Sequence, residues 1–207
     1  MHSLIIGQTE SGKSTLAKVF ASKLTNSGKK VAVLDPLFDP DWKCNYRTDD
    51  INEMTQYLKV NRSVYVFVDE SGAYFNDGND TTYSWLATRS RHYGHSVFFI
   101  AQRAIQIPKT MRDQCSRLYL FTSSRSDGKI HSEEWNKDVL ETCNTLPKLK
   151  FFQCDRYNLC EVLTIKDYKE IVREPRNRNN DSSDPDGSGR SSNTNRKMGG
   201  RPGKGGQ

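Results

Sequence analysis

An α/β fold with a mostly parallel central sheet is predicted by three features of the sequence. Short apolar runs bounded by chain breakers recur at residues 4–6, 31–34, 64–68, 97–101 and 118–121, each of a length suited to a buried strand. Segments of helical length, 13–26, 50–60, 81–93 and 108–114, separate them. A glycine-containing loop stands at the first junction between strand and helix. Alternation of this kind builds βαβ units, whose crossover helices cover both faces of the sheet.

At 207 residues the chain can bury one sizeable core. That domain is expected over residues 1–172, with a tail over 173–207. The tail holds eight Lys/Arg against four Asp/Glu, and so carries +4 of the formal +6 charge. Met198 is its one apolar residue apart from glycine and proline, too little to offset the entropy of ordering, so the tail is expected to be disordered. From Arg190 onward it has five Lys/Arg and no acid. Such a segment suits DNA phosphates or an acidic protein surface, and serves equally as a solubilising tail.

Cys44, Cys115, Cys143, Cys154 and Cys160 are odd in number, widely spaced and never paired as C-x-x-C. They support neither a disulfide framework nor a zinc ribbon, which fits a reducing compartment. His92 and His95 lack partners at metal-ligand spacing and read as a solvated helix end. No apolar run approaches the ~18 residues that cross a bilayer, and no basic-then-apolar leader opens the chain. Neither membrane insertion nor secretion is expected.

Strand 4–6 runs directly into Gly7-Gln8-Thr9-Glu10-Ser11-Gly12-Lys13-Ser14, which fits G-x-x-x-x-G-K-[ST] between a strand and a helix. The glycines let backbone N–H groups curl around phosphate oxygens at a helix N-terminus. Lys13 reaches the β and γ phosphates and the Ser14 hydroxyl takes Mg²⁺, with Thr15 completing the binding set. ATP and Mg²⁺ are the implied cofactors.

Strand 31–34 ends in Asp35, and strand 64–68 ends in Asp69 and Glu70. Asp69 can hold Mg²⁺ through water. Glu70, next along, is expected on the other face of the strand end, where it polarises an attacking water. Strand 97–101 delivers Gln102, whose amide can sense the γ-phosphate. Beyond residue 121 a helix is expected at 132–142, followed by a β-hairpin on the sheet edge around residues 155–158. Trp42, Trp85 and Trp135 read as packing anchors, and Tyr74 and Phe75 could face a base or a neighbouring subunit.

Two features, the strand at 31–34 that comes between the loop strand and the acidic strand and separates them, and a glutamate after the aspartate, resemble the additional-strand, catalytic-glutamate class of P-loop ATPases. The order R-x-x-G-x, apolar strand, Ala101-Gln102-Arg103, an isoleucine-proline turn, helix and Ser116-Arg117-Leu118-Tyr119-Leu120-Phe121 resembles the FtsK–HerA superfamily of DNA-pumping ATPases. The compactness of the chain, which starts directly at its first strand, looks like the genome-packaging ATPases of tectivirus-type internal-membrane viruses.

That resemblance implies a three-layer P-loop NTPase fold and an ATP-driven pump for double-stranded DNA, read without regard to sequence. It implies a homo-oligomeric ring, a hexamer, at a capsid vertex, in host cytoplasm and virion, with capsid vertex proteins as partners. Glu70, Gln102 and Lys13 become its catalytic residues. Arg91 becomes the arginine that reaches a neighbour's γ-phosphate, with Arg89 as alternative and Arg117 and Arg125 as weaker candidates. Lys109, Arg112 and Arg117 are expected DNA phosphate contacts. Two other readings stand beside it. The stretch Arg91-His92-Tyr93-Gly94-His95 with Ile100-Ala101-Gln102 also resembles zonula-occludens-toxin-like ATPases that extrude phage DNA. A P-loop small-molecule kinase would find its lid at residues 125–131.

Overall fold

The computed structural model describes residues 1–71, 81–157 and 160–166. The expected tail, and Tyr74 and Phe75, lie outside these described residues. Among the described residues eight strands form one sheet: β1 (His2–Ile6), β2 (Lys30–Leu34), β3 (Tyr46–Thr48), β4 (Val64–Val68), β5 (Ser96–Ala101), β6 (Cys115–Phe121), β7 (Lys150–Asp155) and β8 (Glu161–Thr164). Their spatial order is β3-β2-β4-β5-β1-β6-β7-β8. The strands from β3 to β6 in that order pair in parallel, and β7 and β8 add an antiparallel hairpin at the edge.

Period-two alternation assigns each apolar side chain to one of two cores. Leu4 and Ile6, Ala32 and Leu34, Val64, Val66 and Val68, and Val97 and Phe99 face one side. Ile5, Val31, Val33, Phe67 and Ile100 face the other. Because both faces are covered, these strands are apolar throughout, which is why they stand out as continuous runs. The first core is closed by α2 (Ile51–Val60), α3 (Thr81–Thr88), α4 (Lys109–Arg112) and α5 (Arg125–Trp135). The second is closed by α1 (Lys13–Asn26), whose Leu16, Ala17, Phe20 and Ala21 make the i, i+4 stripe of an amphipathic helix. Trp42 joins this side, 5.5 Å from the Phe67 ring, which stacks on Phe98 at 4.6 Å.

α2 begins where Asp50 accepts the Asn52 N–H at 2.7 Å, a side-chain N-cap. The helix expected at 81–93 stops at Thr88 and continues as a 3-10 turn, Ser90–Tyr93, that Gly94 closes at φ +79°. His95 is buried there. Its Nδ1 accepts from Val64 N–H at 3.1 Å and its Nε2 lies 3.0 Å from the Leu58 carbonyl oxygen, so it is a core residue and not part of a solvated helix end.

Three further expectations are corrected. The strand between the loop strand and the acidic strand is β5, not the strand at 31–34; the crossover through α1 carries the chain outward past β4, and β5 returns to lie beside β1. The helix expected at 132–142 lies at Arg125–Trp135, ends at Asn136 in the left-handed region, and is followed by a 3-10 segment, Asp138–Thr145. Its start is fixed by Ser124, whose Oγ accepts from Asp127 N–H at 3.1 Å. Finally, Cys154 and Cys160 are joined by a disulfide across the β7–β8 hairpin, where no pairing was expected.

Candidate nucleotide-binding site

In a parallel sheet the crevice opens at the carboxyl ends of the strands where successive connections leave in opposite directions. Here that point lies between β1 and β5. The chain leaves β1 toward β2 and β4, and leaves β5 for β6 on the far side of β1. A cleft of about 120 Å³ lies there, lined by Thr9, Glu10, Lys13, Ser14, Asp69, Glu70, Ile100, Ala101, Gln102 and Gln106.

The loop from Gly7 to Ser14 is pinned at its base. Gly7 N–H donates to the Ala101 carbonyl at 3.3 Å and Gln8 N–H to the Thr122 carbonyl at 2.8 Å, so β5 and β6 grip the loop from both sides. A Cβ at Gly7 would stand 2.6 Å from Phe121 Cβ and 2.7 Å from Ser11 Oγ. Gly12 has φ +117°, and a Cβ there would meet Leu149, Ile165 and Phe121 within 3.1 Å. Both glycines are thus demanded by close approach, and Gly12 also by backbone conformation.

α1 starts at Gly12 with no side-chain cap and no acid in its first turn. Its first N–H groups are left as donors, with the positive end of the helix dipole behind them. Lys13 is 8% exposed, and its Nζ donates to the Gln8 carbonyl at 2.8 Å. Burial lowers its pKa, while the charges of Asp69 and Glu70 oppose that shift.

Asp69 follows the last residue of β4, and its N–H donates to the Leu34 carbonyl at 3.0 Å. Burial pushes its carboxyl up to about 6; the Glu70 N–H, 3.0 Å from Oδ1, and Lys13 act against this, and the neighbouring Asp35 and Glu70 charges add to it. Glu70 takes φ +50°. The strand alternation has therefore ended, and Glu70 lines the same cleft as Asp69 instead of pointing to the opposite face. Ser71 ties the two strands together: its Oγ donates to the Val68 carbonyl and accepts from Ile100 N–H at 3.1 Å.

Gln102 reaches the cleft from the end of β5, with Thr9 Oγ1 donating to its Oε1 at 3.4 Å. Gln106 also lines the cleft and was not read from the sequence; its signal was only its place four residues after Gln102. The exposed Arg91 stands elsewhere. It sits before β5, at the end of the sheet away from Gly7, near the N-terminal amine and His2, whose pKa values are lowered mainly by burial and in smaller part by the Arg91 charge. Arg89 is exposed beside it. Arg117 is exposed near the start of β6, opposite Asp155. Arg125 opens α5, after the carboxyl end of β6.

Arg112 is not a surface cation. It is 7% exposed, its Nε and Nη2 hold Glu134 at 2.9 and 2.5 Å, and Nη1 donates to the Ala104 and Ile107 carbonyls. Lys109 remains exposed, 3.7 Å from Asp113. Residues 125–131, the kinase lid candidate, form a packed helix with Asp127, Gly128 and His131 buried. Among the described residues no His/Cys/Asp/Glu group has metal-binding geometry, and no helix is long and apolar enough to cross a membrane.

No protein-family model matches the sequence, and no curated protein is significantly similar to it. Solved structures match its fold. The genome-packaging NTPase of Sulfolobus turreted icosahedral virus 2, in complex with AMP, aligns at TM-score 0.66 and 15% identity, covering 78% of this chain and 95% of that one. The same protein is also known in complex with AMPPCP and ATP-gammaS. VirB4 of Thermoanaerobacter pseudethanolicus aligns at TM-score 0.60 and 9% identity over 82% of this chain and 90% of that one. The N-terminal domain of zonular occludens toxin from Neisseria meningitidis aligns at 0.50 and 17%, over 80% and 96%. The chain thus shares the α/β fold of these solved structures, the viral genome-packaging NTPase among them, with β5 between β1 and β4.

Proposed function

We propose that this chain is an ATP-hydrolysing motor that moves double-stranded DNA, and that it packages a viral genome into a preformed capsid. The observation that carries this reading is the cleft at the β1–β5 switch point. There an uncapped helix N-terminus, Lys13, Asp69, Glu70 and Gln102 converge on a cleft of about 120 Å³. The fold shared with a viral genome-packaging NTPase supports the choice among P-loop chemistries.

The residues fit a nucleotide with Mg²⁺. The N–H groups from Gly12 to Ser14 bind phosphate oxygens, and Lys13 leaves the Gln8 carbonyl to reach the β and γ phosphates. Ser14 and Asp69 would hold the metal, which supplies charge neutralisation of the phosphates when bound. Glu70 takes a proton from the attacking water, and Gln102 orients that water or senses the γ-phosphate. In a ring, Arg91 of a neighbouring subunit completes the site, which makes hydrolysis depend on assembly. A hexamer at the capsid vertex and sequence-independent contact with DNA phosphates, to which the basic segment 173–207 contributes charge, complete the proposal. It operates in the host cytoplasm and in the virion.

The test is ATP hydrolysis over a range of protein concentrations, with and without long linear duplex DNA, beside Lys13→Ala. The proposal expects Lys13-dependent hydrolysis that rises with DNA and steepens with concentration. Hydrolysis indifferent to DNA, or phosphate appearing only on an added small acceptor, contradicts it. Stimulation by single-stranded DNA alone would favour the phage-extrusion reading that the toxin-like fold shares.

A further inference from the structure

The turn that follows β5 lies beside the cleft yet is fixed like part of the core. Loops usually leave their backbone groups to water. Here the Gln106 Oε1 accepts both the Gln102 N–H at 3.0 Å and the Arg103 N–H at 2.9 Å. Asp127, 2% exposed, accepts the Ala104 N–H at 3.1 Å and lies 3.6 Å from the Arg103 guanidinium. Buried Arg112 takes the Ala104 carbonyl at 2.8 Å and that of Ile107, and is itself clamped by Glu134. Within the turn, Gln106 N–H reaches the Arg103 carbonyl at 3.2 Å, and Ile107 N–H the Ala104 carbonyl at 3.2 Å.

Gln102 is consequently tethered at both ends. Its side-chain oxygen is held by Thr9 of the phosphate loop, and its backbone N–H by Gln106. A carboxamide oxygen has two lone pairs, and here consecutive backbone donors fill both. That pairing sets the orientation in which β5 hands its last side chain to the cleft. We infer that Gln106 is the positioning residue for Gln102, holding it where it reads the terminal phosphate of a bound nucleoside triphosphate. The inference rests on the proposed ATPase reading. Asp127 and Arg112 anchor the same turn from the other side and connect it to α5.

A residue that acts through another shows it by non-additivity. Gln106→Met, Gln102→Ala and the double variant form the cycle. The readouts are the hydrolysis rate, the affinity ratio for AMPPCP over ADP, and hydrogen exchange at the amides of residues 102 and 103. Gln106→Met removes the acceptor at nearly constant length. It is expected to lower the rate and the affinity ratio on the order of 10- to 100-fold, the scale of a small misplacement of a reacting group. It should leave ADP affinity within about twofold and speed exchange at both amides. The double variant should be no slower than Gln102→Ala alone. Losses that multiply overturn the inference, as does an unchanged rate and ratio despite fast exchange.

Gln106→Glu keeps an acceptor and covers the case in which Gln106→Met does not fold. Slow exchange at both amides supports the assignment, and fast exchange overturns it. Absence of hydrolysis by the unaltered chain would defeat the ATPase reading. The affinity ratio would then decide the positioning role by itself: a ratio lost alike in both single variants supports it, and one kept in Gln106→Met overturns it.

Discussion

Lys13 Nζ donates to the carbonyl oxygen of Gln8 across 2.8 Å, so the phosphate loop is closed on its own lysine. Lys13 is 8% exposed, and burial lowers its pKa against the pull of Asp69 and Glu70. A buried cation held by one neutral acceptor adds little to stability, because desolvation offsets the bond. Lys13→Ala is therefore expected to abolish hydrolysis by 100-fold or more, roughly the loss of a preorganised charge at the transition state. It should leave the melting temperature of the nucleotide-free chain unchanged or higher. Calorimetry beside a phosphate-release assay checks both.

Asp69 predicts a pH dependence. Burial raises its carboxyl from 3.8 to about 6, so the folded chain binds this proton more tightly than the unfolded chain. The resulting stability is complete below 3.8 and is lost as pH rises through about 6. Asp69→Asn stays neutral throughout. It should stabilise the nucleotide-free chain on the order of 1–2 kcal/mol near neutral pH, and have almost no effect at the acid end. Denaturant melts at several pH values, with hydrolysis lost in the variant, test this.

Arg112 and Glu134 form a buried ion pair with 7% of Arg112 exposed. Arg112→Met leaves the carboxylate unpaired and is expected to cost about 3–5 kcal/mol. Lys109→Ala, on the exposed side of α4, should leave the melting temperature almost unchanged. If Lys109 contacts phosphates in the ring, the same change reduces the salt slope of DNA binding by about one unit.

Gly12→Ala places a Cβ 2.9 Å from Leu149 Cδ2 and 3.0 Å from Ile165 Cδ1 at φ +117°. A strained backbone of this kind costs on the order of 1–3 kcal/mol. Nucleotide affinity should fall with stability, because the distorted residue supplies one of the N–H groups proposed to bind phosphate. Isothermal titration with ADP and a thermal melt measure the two losses together.

Much of this arrangement was legible because it is local. Residues 13–26 form a helix as read, since the loop before them ends in a glycine and Ser27-Gly28 closes them, with Gly28 at φ +71°. The β4 and β5 runs were visible because both faces are buried. What the sequence hid is long-range. β3 has three residues and borrows its identity from pairing with β2. The place of β5 between β1 and β4 depends on crossovers that no local pattern encodes. Arg112 reads as a surface cation until Glu134, 22 residues on, is folded against it. α5 was placed too late in the chain, and its interior holds Gly128. In the fold it is the point where the helix approaches the Leu140 carbonyl, 2.8 Å from where a Cβ would stand. Glu70 was assigned to the wrong face because its left-handed backbone ends the strand alternation.

Movement along duplex DNA, driven by hydrolysis in the β1–β5 cleft as proposed, can be followed by triplex displacement. A third strand is annealed near one end of a long linear duplex, and its release is followed after adding protein and ATP. Release is expected to require ATP, to occur later for more distant triplexes, and to disappear with Lys13→Ala and with Glu70→Gln. Release without ATP, or ATP hydrolysis with no release at any triplex distance, would contradict it.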